Sequence, residues 1–86
     1  MDTMTQTDVK ILFGNRIRQL RKARGWSQEE FAQIIGLDRS YLGGIERGER
    51  NVSLENICLI AKALDLPTAE LFHGWVTDST TVDSSE

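Results

Sequence analysis

The chain holds one cysteine, one histidine and one proline among its 86 residues, and only 7% of it is aromatic. A single cysteine rules out an intramolecular disulfide. Cys58 and His73 alone cannot supply the four ligands of a structural zinc site. Cys58 falls in an apolar helical pattern and reads as a packing residue. His73 ends a predicted helix and reads as a surface or capping residue. No apolar run approaches the roughly 18 residues that a membrane span needs. The opening "MDTMTQTDVK" has no basic region ahead of an apolar stretch, so it does not read as a secretory signal, and the default expectation is a cytoplasmic protein. No phosphate loop of the GxxxxGK[ST] type is present; "GGIERG" lacks the lysine and falls inside a predicted helix. Nothing in the sequence places the lone histidine beside the lone cysteine, and the carboxylates read mostly as helix caps or partners of basic side chains. The chain is therefore not expected to be an enzyme, and no cofactor, metal or small-molecule substrate is expected.

Positive charge is scarce overall, with a formal net charge of −3, but it is unevenly placed. From Lys10 to Arg50 nine basic residues face five acidic ones, a local net of +4. The remainder carries −7. The segment able to meet a phosphate backbone is basic, and the acidity sits at the ends.

Strand-like alternation is absent, and the hydrophobic periodicity is helical, giving an all-α expectation of five helices with residues 8–76 as one domain. Residues 1–7 and the acidic, Ser/Thr-rich tail 77–86 are expected to be unstructured. The first helix is predicted from about Asp8 to Arg24, with Phe13, Ile17 and Leu20 on one face, Gly25 ending it and Trp26 packing under the turn. "SQEE" opens the second: Ser27 is a good N-cap and Glu30, three residues on, completes a capping box. Phe31, Ile34 and Ile35 form its apolar face and Gly36 closes it. Only "GL" then separates it from the next cap, Asp38. Two short helices joined so tightly must cross steeply, which is the helix-turn-helix layout.

The third helix, Arg39 to about Arg47, puts Tyr41, Leu42 and Ile45 on its buried side. Arg39, Ser40, Gly43, Gly44 and Arg47 share the opposite side. Two adjacent glycines each cost a helix interior about 1 kcal/mol relative to alanine. On the outward face they leave it flat, so that another surface can approach the backbone. The plainer alternative, that a well-packed opposite face merely tolerates them, stays open. Gly48 ends the helix, and Ser53 caps a fourth, "LENICLIAKAL", whose broad apolar face carries Leu54, Ile57, Cys58, Ile60, Ala61 and Leu64. Leu59 lies off that face. Pro67 suits the opening of a short fifth helix, "TAELFHGW". Leu59, Phe72 and Trp75 together form a candidate self-association patch.

The stretch "SQEEFAQIIGLDRSYLGGIERGERNVSLENICLIAKALDLPTAELF" resembles the Cro/repressor (XRE-type) family of bacterial and phage DNA-binding domains, over about residues 11 to 73. The capped "SQEE" helix, "GLDRSYL", "IERGER" and "SLENICLIAKAL" carry the likeness together. Within the family, "DRSYLGGIERGERN" is most similar to the controller proteins of restriction-modification systems. The resemblance implies a compact five-helix bundle that lays its third helix in the major groove. Carried over by position, Arg39 and Ser40 would read bases, with Gly43 and Gly44 on the same approach. Gly44 departs from the family in having no side chain to read with, which leaves much of the direct readout to Arg39; an arginine fork suits guanine O6 and N7. Gln28, Tyr41, Arg47, Arg50 and Asn51 would contact phosphates, and Gln28 would also brace the third helix. Arg21 and Glu46 would form a structural ion pair that fixes the angle of the reading helix.

The leading expectation is a transcription regulator that binds double-stranded DNA as a homodimer on a two-fold symmetric operator, with RNA polymerase as a further candidate partner. The competing expectation is a protein-interaction module of antitoxin or adaptor type without DNA binding, which the doubled glycines and the negative net charge would suit.

Overall fold

The computed structural model describes residues 6–75. The expectations for residues 1–5, for Val76 and for the tail 77–86 lie outside the described residues. Four α-helices follow one another: α1 (Gln6–Ala23), α2 (Gln28–Ile35), α3 (Arg39–Glu46) and α4 (Leu54–Leu64). No strand occurs among the described residues. The expected fifth α-helix is instead a short 3-10 turn, Thr68–Phe72. Its cap, Pro67, makes no side-chain hydrogen bond to the turn, and Gly74 with φ 84° breaks the chain just beyond. Five residues without a cap cannot sustain the i→i−4 ladder, and the tighter spiral results. His73 is exposed and closes this turn, its backbone N–H donating to the Glu70 carbonyl at 3.3 Å. The start of α1 at Gln6 lies two residues ahead of the expected Asp8.

The predicted caps hold. Ser27 Oγ accepts from the Glu30 N–H at 3.0 Å, and the Ser27 N–H donates to Glu30 Oε1 at 2.8 Å, closing the capping box of α2. Asp38 caps α3 through the Ser40 N–H, and Ser53 caps α4 through the Asn56 N–H. Each such cap is worth about 1 kcal/mol. Between α2 and α3 the chain turns at Gly36, whose φ of 88° is left-handed and open to glycine at no steric cost. The Gly36 and Leu37 N–H groups both donate to the Ala32 carbonyl, so the turn is sealed before Asp38 starts α3.

One core gathers Phe13 and Ile17 from α1, Phe31 and Ile35 from α2, Leu42 and Ile45 from α3, Ile60 and Leu64 from α4, and Leu71 from the 3-10 turn. Burying each of these side chains contributes roughly 1.5–3 kcal/mol. Leu20, Tyr41 and Ile57 pack at its margin. Trp26 stacks on Phe31 with ring centroids 5.3 Å apart and lies under the Arg24 guanidinium, the packing expected of it beneath the turn.

Three apolar assignments need correction. Ile34 is exposed, and Ala32 takes its place in the buried arc of α2. On α4 the buried arc is Ile60, Ala61 and Leu64, with Ile57 at its edge; Leu54 and Cys58 face out. α4 packs against α2 and the 3-10 turn, which leaves Leu54 and Cys58 outside the contact. Cys58 is thus an exposed thiol and not a packing residue.

Two basic residues in and just after α1 tie other segments to it. Arg16 Nε donates to the Glu70 carbonyl at 2.9 Å, which pins the 3-10 turn to α1. Arg24 Nη2 donates to the Leu64 carbonyl at 2.6 Å and so caps the C-terminus of α4.

A glycine governs the approach of α1 to α3. A Cβ built on Gly14 would fall well inside contact distance of the Ile45 carbonyl oxygen and 2.8 Å from that of Glu46. These are backbone atoms that cannot step aside. Alanine is the better helix former, yet Gly14→Ala should destabilise the fold by roughly 1–3 kcal/mol, the usual cost of overpacking. Urea denaturation checks this; a stability equal to or above that of the parent chain would show that α1 and α3 can separate freely.

Candidate nucleic-acid interface

Beside Gly14, and between the same two helices, lies a buried ion pair. Arg21 of α1 and Glu46 at the end of α3 are 8% and 5% exposed. Arg21 Nε donates to Glu46 Oε2 at 2.7 Å and Arg21 Nη2 to Glu46 Oε1 at 2.9 Å, a two-pronged pairing. Arg21 Nη1 donates to the Trp26 carbonyl at 2.9 Å, and Gln28 Nε2 donates to Glu46 Oε1 at 3.0 Å. The hydrogen bonds from Arg21 to Glu46 hold the guanidinium above its already high ordinary pKa, against the opposing effect of burial. The ion pair therefore ties α1, the α1–α2 turn, the first residue of α2 and the end of α3 into one node. Gln28, predicted both to brace α3 and to contact phosphate, is seen bracing through this bond.

From that node α3 projects its N-terminal half. Arg39 is exposed and makes no hydrogen bond or ion pair among the described residues. Ser40 is exposed, and its hydroxyl donates to Asp38 Oδ2. That hydroxyl, followed by the Ser40 backbone N–H, holds the Asp38 carboxyl below its ordinary pKa of 3.8. The cap is thus strongest above that range and weakens as pH falls through the lowered value.

The doubled glycines do not leave a bare face. Gly43 and Gly44 are both buried. A Cβ on Gly43 would meet Arg47 Nη1 at 3.1 Å and Gln28 Oε1 at 3.6 Å; one on Gly44 would meet Arg50 Cγ at 2.9 Å and Arg50 Nε at 3.0 Å. The close approach expected there is made first by the protein's own arginines. Arg39 and Gly43 are four residues apart on one helix and share a face. Arg39, Gln28 and the guanidinium of Arg47 therefore lie on one side of the molecule. Arg47 is exposed and pairs with Glu49 at 3.1 Å, which raises the pKa of Arg47 and lowers that of Glu49. Arg50 lies over the Tyr41 ring at 5.8 Å. Tyr41 is half-buried, and its hydroxyl accepts from Asn56 Nδ2 of α4 at 3.2 Å, a link that no short-range sequence pattern signals. Asn51 is exposed just beyond.

The candidate association patch divides in two. Phe72 and Trp75 meet edge to face at 5.3 Å, with Phe72 also against Phe13. The Trp75 indole N–H is buried without a partner among the described residues. Leu59, 43% exposed, instead shares the outer side of α4 with Leu54, 75% exposed, and Cys58. Leu54 and Cys58 lie at the edge of the apolar arc of Ile57, Ile60, Ala61 and Leu64, and their spacing does not distinguish them from it; the packing of α4 leaves them outside.

A helix-turn-helix family model matches residues 17–71. The chain belongs to the helix-turn-helix family of DNA-binding transcription regulators. It is 50% identical over 66 residues to the control protein C.MunI of Mycoplasma sp, a match that covers 76% of this chain and 89% of that protein. It superimposes on the restriction-modification controller protein C.AhdI of Aeromonas hydrophila with a TM-score of 0.72 and 58% identity, over 74% of this chain and 97% of that one. The controller protein C.Esp1396I, solved as a tetramer on its natural 35 base-pair operator, matches with a TM-score of 0.68 and 33% identity, over 74% of this chain and 84% of that one. This helix-turn-helix regulator thus groups with restriction-modification controller proteins, in keeping with the resemblance read from "DRSYLGGIERGERN".

Removing the carboxylate of Glu46 strands the Arg21 guanidinium in the interior. Glu46→Ala should cost roughly 3–5 kcal/mol, as the loss of one partner of a buried pair does, whereas exchanging both partners together for Met and Leu should cost far less. Thermal and chemical denaturation of the three proteins checks this; a single substitution no worse than the double would mean that the pair is solvated.

Proposed function

We propose that the protein is a sequence-specific double-stranded DNA-binding transcription regulator, the controller of a restriction-modification system, that acts as a homodimer on a two-fold symmetric operator in the cytoplasm. The observation that carries this reading is Arg39: an exposed arginine, without a hydrogen-bond partner among the described residues, at the start of a helix whose far end is locked to α1. Its guanidinium reads a guanine through O6 and N7 in the major groove. Ser40, held by Asp38, stands beside it as a second base contact. Gly43 and Gly44, being covered, take part through the arginines they carry. Gln28, Arg47, Arg50 and Asn51 contact phosphates, together with the backbone N–H groups at the start of α2. One small module makes too few contacts for tight specific binding, so two copies bind half-sites one helical turn, about 34 Å, apart. The copies meet through the outer face of α4, where Leu54 and Leu59 are exposed and no element among the described residues covers them. Repression or activation then follows from where the dimer sits relative to RNA polymerase.

Duplexes selected from a random library by the purified protein should carry a two-fold repeat, and binding should weaken steeply with salt. Arg39→Ala should lose about 1–3 kcal/mol on the selected duplex and relax preference at one base pair per half-site. A uniform loss on all sequences would make Arg39 a phosphate contact. Failure to select any duplex, with salt-insensitive capture of a protein partner, would favour the antitoxin or adaptor reading.

Leu59→Glu places a charge in the proposed dimer contact. Sedimentation equilibrium should show a shift to monomer, with at least about tenfold weaker operator binding as the second half-site is lost. An unchanged dimer would move the interface elsewhere, with the Phe72 and Trp75 end as the next place to probe.

A further inference from the structure

Gly44 and Arg50 are joined by more than proximity. After α3 the chain turns at Gly48, φ 78°, and the Glu49 N–H donates back to the Gly44 carbonyl at 2.9 Å. This fold-back lays the stem of Arg50 across the Cα of Gly44: a Cβ there would sit 2.9 Å from Arg50 Cγ and 3.5 Å from Cδ. The guanidinium end lies over the Tyr41 ring, and Tyr41 is in turn held by Asn56 of α4. The Arg50 side chain thus has a floor, the bare backbone of Gly44, and a wall, the Tyr41 ring. Gly43 differs. A Cβ there would meet only the far ends of Arg47 and Gln28, which can swing aside.

We propose that Gly44 is a positioning residue: it forms a bed, walled by Tyr41, that holds Arg50 in a preset pose for a duplex phosphate. This rests on the DNA-binding reading above but goes beyond it, because it assigns the doubled glycine an intramolecular task. A free arginine gives up many rotamers when it binds; one already laid in place gives up few, and affinity gains accordingly. Any side chain at position 44 lifts the stem off its floor. An arginine at position 50 over an alanine at 44 still carries the charge but no longer the pose.

The test is a double-mutant cycle between Gly44→Ala and Arg50→Ala, read by titrating each protein against a duplex selected by the wild type. Gly44→Ala should bind about threefold to tenfold more weakly while melting close to the wild-type temperature, since the helix preference of alanine offsets the cost of displacing the arginine stem. In the Arg50→Ala background the same change should alter affinity less than about twofold. An equal loss from Gly44→Ala in both backgrounds would overturn the proposal, because it would mean that the new methyl strikes the duplex directly. Should Gly44→Ala melt lower than wild type, Tyr41→Leu removes the wall instead, and its loss must likewise vanish without Arg50; if it persists, the bed is not what positions the arginine. A wild-type protein that selects no duplex would defeat the DNA-binding reading, and the proposal with it. Duplex binding without coupling would defeat this proposal alone.

Discussion

The outward face of α3 depends on the two-pronged pairing of Arg21 with Glu46 inside the molecule. Two opposite charges removed from water gain stability only if their remaining hydrogen-bonding capacity is also met, and here Trp26 and Gln28 meet it. The pairing is directional, so it sets angle as well as contact. It lies where Gly14 lets the backbones of α1 and α3 touch, so distance and rotation between these helices are specified at one point. A hydrophobic contact of the same area would hold the helices together but would leave their relative rotation softer.

With that node in place, the small size of the protein becomes workable. A core of eleven buried apolar residues among those described is modest, and a chain of this length buries a smaller share of its surface than a larger domain does. Capping supplies what bulk cannot. Serine or aspartate closes the N-termini of α2, α3 and α4, and Arg24 closes the C-terminus of α4. Arg16 ties the 3-10 turn down in the same manner. Some of the positive charge in and just after α1, on Arg16, Arg21 and Arg24, is thus structural mortar.

The outward face shows a second economy. A recognition surface needs long, charged side chains, and those are the ones that lose most freedom on binding. The protein limits that loss by giving Arg50 a place to lie, and glycine is the one residue that can make such a place within a helix without a side chain of its own. The helix-propensity penalty of Gly44 is thereby exchanged for order in a neighbouring side chain. The packed opposite face of Leu42 and Ile45 carries that penalty.

Much of this was legible in the residues alone, because much of it is local. Caps, helix order, the tight α2–α3 turn and the outward Arg39 follow from spacings of three and four residues and from side chains that bond their own backbone nearby. The pairing of Arg21 with Glu46 came from resemblance and could not have come from spacing. What only the tertiary structure decided concerns places where separate segments meet. Periodicity gives the direction of a side chain from its own helix axis, but not what another segment lays over it. So Gly43 and Gly44, outward on a wheel, are covered by arginines arriving from beyond the helix; Cys58 and Leu54, within an apolar stripe, find no element among the described residues to cover them; and Gly14, unremarkable in sequence, proves to be the point where two backbones touch.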